Sequence, residues 1–334
     1  MKMEKLMYNT ITVLDTSIAT ENLGDFIIMD AVHKQLRTLF PESFFVNTAT
    51  HDTMGREAKQ WQRKSQYTFI GGTNLLTDRF RGRNRAQWKY GLRDREVTGA
   101  IGLGLGWQSY LEYHRPIDIP LKYAQKLIYD RALSTKYIHS VRDSYTQKRL
   151  ARMGIESINT ACVTMWGLTP ELLANIPTAK ANTVVTTITN YWQSPEYLKA
   201  YRQLIETLLV NYKTVKLWIQ AREDIEIFNK LNVEGAERVI FIAPNLSAYD
   251  EALSEPVDYI GTRLHAGIRA LQHQRRSLIV ELDNRAREIA NDTNLPTIDY
   301  RHIQDVANFI NQNYAMNIKV PFTNIEKWRS QFIK

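Results

Sequence analysis

The sequence predicts an α/β protein made of two β/α domains in tandem. Three observations carry this. Short β-rich runs alternate with longer amphipathic stretches, the pattern of parallel sheets with crossover helices. The alternation occurs twice, on either side of a stretch at 169–182 that holds Pro170, Pro177 and several small residues. The length of 334 residues also suits two domains at roughly 100–200 residues each.

In the first series, strands are predicted at 11–15, 44–47, 67–70, 100–105 and 137–141. A helix is predicted over 26–40, because Phe26, Met29, Val32, Leu36 and Leu39 share one face at helical spacing. Further helices read at 121–133 and 144–153, the latter stopped by Gly154. In the second series, strands are predicted at 183–187, 214–220, 238–242, 257–260 and 277–281. Helices read at 196–212, 222–231, 267–273 and 285–292, with 302–314 and 324–333 forming a helical end. The domains are therefore drawn at 1–178 and 179–310, followed by a helical tail at 311–334.

Composition removes several classes. Hydrophobic residues at 44% and charged residues at 23% exclude a disordered chain. The single Cys162 excludes a disulfide framework and any CxxC-type zinc site. A formal charge of +8 points to anionic ligands or acidic surfaces without indicating nucleic acid. Residues 1–9 lack a signal-peptide core, and no run of about 18 apolar residues occurs, so a cytoplasmic protein is expected. The basic balance also suits contact with the anionic inner face of a membrane.

In open parallel sheets, ligands bind beyond the carboxyl ends of the strands. Four strand-to-helix loops carry unusual polar residues. In the first, Asn22, Gly24 and Asp25 precede a helix whose free amides suit an anion; Asp25 is either a cap or a contact to a sugar hydroxyl. The second is Gly71-Gly72-Thr73-Asn74, either a tight turn or a ligand loop. The third is Arg142-Asp143-Ser144, where Arg142 either grips an anion bidentately or pairs with Asp143. The fourth is Gly261-Thr262-Arg263-Leu264-His265, whose arginine and histidine would cradle a small dianion, with His265 as proton donor.

Other signals fail. Gly102, Gly104 and Gly106 suggest a dinucleotide loop, but Trp107 and Ser109 follow where a glycine is required. P-loop, HExxH and GxSxG motifs are absent, as is a strict Asp-x-Asp, and no metal is expected. Arg79, Arg81, Arg83 and Arg85 read as either a solvated loop or a contact to a phosphorylated or lipid-linked partner. Trp61, Trp88, Trp107, Tyr110, Tyr113, Trp166, Tyr191 and Trp192 either fill cores and interfaces or stack on sugar rings.

The Asn22-Leu23-Gly24-Asp25, Ser140-Val141-Arg142-Asp143-Ser144 and Gly261-Thr262-Arg263-Leu264-His265-Ala266 segments resemble the motifs of the polysaccharide pyruvyl transferases, across most of the chain. Departures are Gly71-Gly72-Thr73, where three glycines are frequent, and Asn284-Arg285, near which a lysine is common. The resemblance implies a GT-B-like fold, with two Rossmann-like domains facing a cleft. It implies transfer of a pyruvyl group from phosphoenolpyruvate to a sugar of a polysaccharide repeat, lipid-linked or free, as a cyclic ketal. Phosphoenolpyruvate is then a co-substrate, with no further cofactor, bound by Arg142, Arg263, Leu264 and His265. On this view Arg142 and Arg263 hold its anionic groups from opposite domains. His265 either protonates the methylene carbon or stabilises the departing phosphate, and Asp25 orients the acceptor or acts as base. The alternatives are a GT-B-like glycosyltransferase using a nucleotide sugar, and a non-catalytic module for acidic polymers.

Overall fold

Runs of apolar residues buried on both faces form parallel strands here, and amphipathic stretches cover them as helices. The computed structural model describes residues 8–78, 88, 98–108, 110 and 119–333; the Arg79–Arg85 run and Tyr113 lie outside the described residues. The chain divides into two compact units. One comprises residues 1–20, 28–163 and 321–334, the other residues 21–27 and 164–320. Among the described residues no helix is long and apolar enough to cross a membrane.

The first unit runs β1 (Asn9–Asp15), α1 (Leu23–Leu39), β2 (Ser43–Ala49), α2 (Arg56–Lys64), β3 (Tyr67–Gly71), β4 (Ile101–Leu103), α3 (Ile119–Ala132), β5 (His139–Val141), α4 (Ser144–Ala151) and β6 (Ser157–Asn159). Its parallel sheet has the order β2-β1-β3-β4. A parallel bridge from Leu105 to Val141 continues it to the β5–β6 pair. β4 is shorter than its pattern predicts because Gly104 turns the chain at φ +72°. The α1 turn at residues 21–27 groups with the second unit.

The second unit runs α5 (Pro170–Ala174), β7 (Thr183–Thr186), α6 (Pro195–Asn211), β8 (Thr214–Trp218), α7 (Glu223–Lys230), β9 (Val239–Ile242), α8 (Leu246–Ser254), β10 (Val257–Gly261), α9 (Leu264–Gln272), β11 (Ser277–Glu281), α10 (Asn284–Thr293), β12 (Thr297–Asp299) and α11 (Val306–Asn311). A final helix, α12 (Phe322–Ser330), groups with the first unit. α6 buries Tyr201, Leu204, Ile205 and Leu208 at helical spacing against the sheet, alongside Val184, Val215 and Leu217. The helix predicted at 302–314 splits instead into a 3-10 turn at Tyr300–Asp305 and α11, with non-helical His302 at the break.

All strands of this sheet are parallel, in the order β12-β11-β10-β7-β8-β9. The chain winds outward from β7 through β8 to β9, then returns to place β10 on the other side of β7. The point where winding reverses, between the carboxyl ends of β7 and β10, is the position that opens a crevice in Rossmann-like sheets. The predicted α/β fold of two Rossmann-like units is therefore what the chain forms.

Gly261 lets these two strand ends approach. A Cβ there would lie 2.6 Å from both the Thr187 backbone nitrogen and its Oγ1. Overpacking of that kind typically costs 1–3 kcal/mol. Gly261→Ala is expected to lower unfolding free energy by about 1–3 kcal/mol in urea titration; a variant as stable as the parent would refute the close approach.

Candidate functional site

The site is built where β7 and β10 part. The Arg263 N–H donates to Thr187 Oγ1 (3.1 Å), and the Tyr259 hydroxyl donates to the Arg263 carbonyl (2.8 Å). With its proton committed there, Tyr259 receives the Thr187 hydroxyl at 2.7 Å, which closes a ring of buried hydrogen bonds. The Thr262 N–H adds a bond to the Thr187 carbonyl at 3.0 Å. Arg263 is thereby fixed as the residue preceding α9, which begins at Leu264, earlier than its pattern predicts, and places His265 in its first turn.

The Arg263 side chain is only 5% exposed. Its Nη2 donates to both oxygens of Asp224, at 2.5 and 2.8 Å, and its Nε donates to the Ile188 carbonyl at 3.1 Å. Asp224 opens α7 beyond β8 and also accepts from the Ala221 N–H at 3.0 Å. Burial pushes the Asp224 carboxyl above its usual range, while Arg263 and these amide bonds pull it back. The Arg263 guanidinium faces the Tyr191 ring at 4.7 Å.

A second guanidinium, Arg285 of α10, faces the same ring at 5.5 Å. Its Nε and Nη2 are taken by Asp283, the residue that caps α10. Nη1 of Arg263 and Nη1 of Arg285 have no hydrogen-bond partner among the described residues. These two arginines, with Asn22, Thr189, Tyr191, Trp192, Gln220, Thr262, Leu264, His265 and neighbours on β11 and α10, line a pocket of about 470 Å³, part of it open to solvent. Leu264 and His265 begin α9, and Arg285 and Ala286 begin α10, so two helix N-termini meet the pocket, where partial positive charge favours anions.

The first-loop residues reach this pocket through Asn22. Asn22 Oδ1 accepts from the Gly24 N–H (3.2 Å) and from Gln220 Nε2 (2.8 Å), while the Leu23 N–H donates to the Gln220 carbonyl (3.1 Å). Asn22, rather than Asp25, therefore holds the cap position of α1. Asp25 is buried and accepts from Asn22 Nδ2 at 3.1 Å, and it is not among the pocket-lining residues. A Cβ on Gly24 would lie 2.8 Å from Gln220 Nε2, so the glycine leaves room for that contact.

The remaining predicted residues belong to the first unit. Gly72 and Thr73 both have left-handed φ, +58° and +62°, and a Cβ on Gly72 would lie 2.4 Å from Ile28 Cγ2. Packing against α1 thus accounts for the glycine pair Gly71-Gly72 locally, since a Cβ on Gly71 would meet Met29 Sδ at 2.7 Å. Arg142 is 1% exposed; Nε donates to Asp143 (3.1 Å) and Nη2 to Asn74 Oδ1 (2.7 Å). Asp143 also caps α4 by accepting the Thr146 N–H at 2.6 Å. A Cβ on Gly106 would lie 2.2 Å from the Arg142 guanidinium carbon, so part of the Gly102–Gly106 run exists to seat this arginine.

The sequence reading passes over Asp224, Gln220 and Arg285 as site residues and names Tyr191 and Trp192 among aromatics that either fill cores and interfaces or stack on sugar rings. Each follows a strand of the second sheet, so position beyond β7, β8 and β11 is the signal that would have found them.

A family model described as Polysaccharide pyruvyl transferase matches residues 22–284. No curated protein matches the sequence. Among solved structures, the Methanocaldococcus jannaschii UDP-GlcNAc 2-epimerase in complex with UDP-GlcNAc and UDP is similar at a TM-score of 0.54 and 12% identity, covering 96% of this chain and 98% of that one. The S. aureus MnaA–UDP co-structure is similar at 0.51 and 9% identity, covering 98% of each chain. At such identities the likeness shows a shared GT-B-like fold and nothing of the chemistry.

Removing one partner of a buried ion pair strands the other charge, which costs about 3–5 kcal/mol. Asp224→Ala is expected to lose that much stability in urea titration, and adding Arg263→Met to Asp224→Leu to recover most of it. A loss below about 1 kcal/mol in Asp224→Ala would contradict the buried pair.

Proposed function

The chain belongs to the polysaccharide pyruvyl transferase family, and from that premise we propose that it moves the pyruvyl group of phosphoenolpyruvate onto two hydroxyls of a saccharide as a cyclic ketal. One observation carries the reading. Arg263, Arg285 and His265 line one pocket at the N-termini of α9 and α10, and each arginine has an Nη1 with no partner among the described residues. Phosphoenolpyruvate bears a phosphate and a carboxylate, and outward guanidinium N–H groups with helix-end amides suit both.

In the proposed reaction, His265 delivers a proton to the methylene carbon, which becomes the methyl group. The neighbouring carbon turns electrophilic, and one acceptor hydroxyl adds to it. The bond to the phosphate oxygen breaks, phosphate leaves with the electron pair, and the second hydroxyl closes the ring. Of the two hydroxyl protons, one replaces that lost by His265 and one leaves with phosphate. Asn22 and Gln220, bonded to each other in the pocket wall, offer polar groups to the acceptor. Asp25 supports Asn22 and is proposed as the group that orients it. Arg142 of the first unit remains a proposed donor ligand through its family-like motif.

Loss of a general acid typically costs 10²–10⁴-fold in rate. His265→Asn should lower pyruvyl transfer by about 10²–10⁴-fold, a larger loss than its effect on phosphoenolpyruvate affinity. Arg263→Lys, which keeps the charge but loses the fork, should weaken phosphoenolpyruvate binding by about tenfold or more. Phosphate release against a panel of hexosides, calorimetric titration and detection of the ketal methyl by NMR would measure these effects. Near-parental transfer in both variants would sink the assignment.

A further inference from the structure

Tyr191 and Trp192 line the pocket while 45% and 41% of their surfaces stay exposed. Aromatic surface left in water is surface a ligand gains by covering. Trp192 is also held in place. Its ring stacks on Tyr197 at 5.5 Å and 19°, and Tyr197 stacks on Tyr300 at 4.2 Å and 21°. The layered stack anchors Trp192 from one side, so little rotamer freedom remains to be lost on binding.

A polar group in the same wall lacks its complement. Gln220 is buried, its Nε2 is committed to Asn22 Oδ1 at 2.8 Å, and its Oε1 has no hydrogen-bond partner among the described residues. The Asn22 contacts fix the amide orientation, because Asn22 Oδ1 must accept while its Nδ2 donates to Asp25. An unpaired buried carbonyl costs free energy that a hydroxyl donor would return. A rigid aromatic face beside an unmatched acceptor complements a pyranose ring, whose C–H face is apolar and whose edge carries hydroxyls. A carboxylate or phosphate, by contrast, offers no donor to Gln220 Oε1 and no apolar face to Trp192.

We propose that Tyr191 and Trp192 form the platform on which the acceptor's pyranose ring lies, with Gln220 Oε1 accepting from one of its hydroxyls. That this sugar is the pyruvyl acceptor rests on the transfer reading above; that a sugar binds here does not.

The test uses the full chain, its Trp192→Ala and Trp192→Phe variants, and methyl glycosides of glucose, galactose, mannose and N-acetylglucosamine. Saturation-transfer NMR and titration follow each glycoside, with phosphoenolpyruvate titrated in the same samples. At least one glycoside should bind the parent, weaken by about tenfold in Trp192→Ala and recover to within about threefold in Trp192→Phe. Phosphoenolpyruvate affinity should stay level across the three proteins. No glycoside binding to the parent, unchanged binding in Trp192→Ala, or uridine diphosphate alone protected by Trp192 would overturn the platform. A parent that binds glycosides through Trp192 but no phosphoenolpyruvate supports the platform and overturns pyruvyl transfer. A parent that binds phosphoenolpyruvate but no glycoside does the reverse.

Discussion

The buried pair of Arg263 and Asp224 is the constraint on which the pocket depends. Withdrawing a guanidinium and a carboxylate from water costs several kcal/mol per ion, and only good geometry with further hydrogen bonds offsets it. Here both Asp224 oxygens face one Arg263 nitrogen, and a carbonyl takes a second. Because Asp224 follows β8, Ile188 follows β7 and Arg263 follows β10, one side chain ties three strand ends together. The Thr187–Tyr259 ring fixes the backbone that carries it. Among the described residues, Nη1 is the guanidinium nitrogen left outside the tie.

The same sheet holds a second buried pair at its opposite edge, and the contrast is informative. Arg276 and Asp258 lie 3.2 Å apart, and the Tyr212 hydroxyl donates to the same carboxylate at 2.7 Å. Burial again pushes the Asp258 carboxyl up, with Tyr212 and Arg276 opposing. Both terminal nitrogens of Arg276 are spent inside the protein, on Asp258 and on carbonyls around the end of α11. That pair closes the amino-terminal edge of the sheet. Burial and charge are alike in the two places; winding reversal and the pocket lined by Arg263 set the first apart. A buried arginine alone does not mark a site.

Legibility in the sequence followed the range of the interactions. Strands such as β7 and β11 are short apolar runs, and α6 shows its buried face at regular spacing, so local pattern suffices for them. Arg263 and His265 stand out because arginine and histidine so close after a strand are unusual in a local window. Asp224 does not, since it reads as an ordinary acidic residue in the first turn of a helix, and its partner is 39 positions away. Gln220 and Asn22 are 198 positions apart. The helices α2, α5 and α8 and the short strands β6 and β12 escape the pattern, as elements of few residues carry little periodicity. Of the two roles open to Asp25 in the sequence, the cap falls to Asn22, because capping depends on where α1 starts, and helix ends are the least determined feature of a periodic pattern.

Charge balance bears on how such a pocket would work. Each of its arginines is neutralised by one aspartate, Arg263 by Asp224 and Arg285 by Asp283. Two unpaired guanidinia would hold substrate and released phosphate alike, and binding that is equal before and after reaction adds nothing to turnover. With the pairs in place, the attraction for an anion comes from directed N–H groups, helix ends and whatever charge His265 carries. On the pyruvyl-transfer reading, His265 gives up its proton as the methyl group forms. A proton from an acceptor hydroxyl then replaces it, so the charge of the pocket is restored over the turnover. A lysine in place of either arginine would keep the charge yet lack the fork that serves aspartate and ligand at once. On that reading the aspartates would do more than stabilise the fold: they would set how tightly an anion is held, and so how readily it leaves.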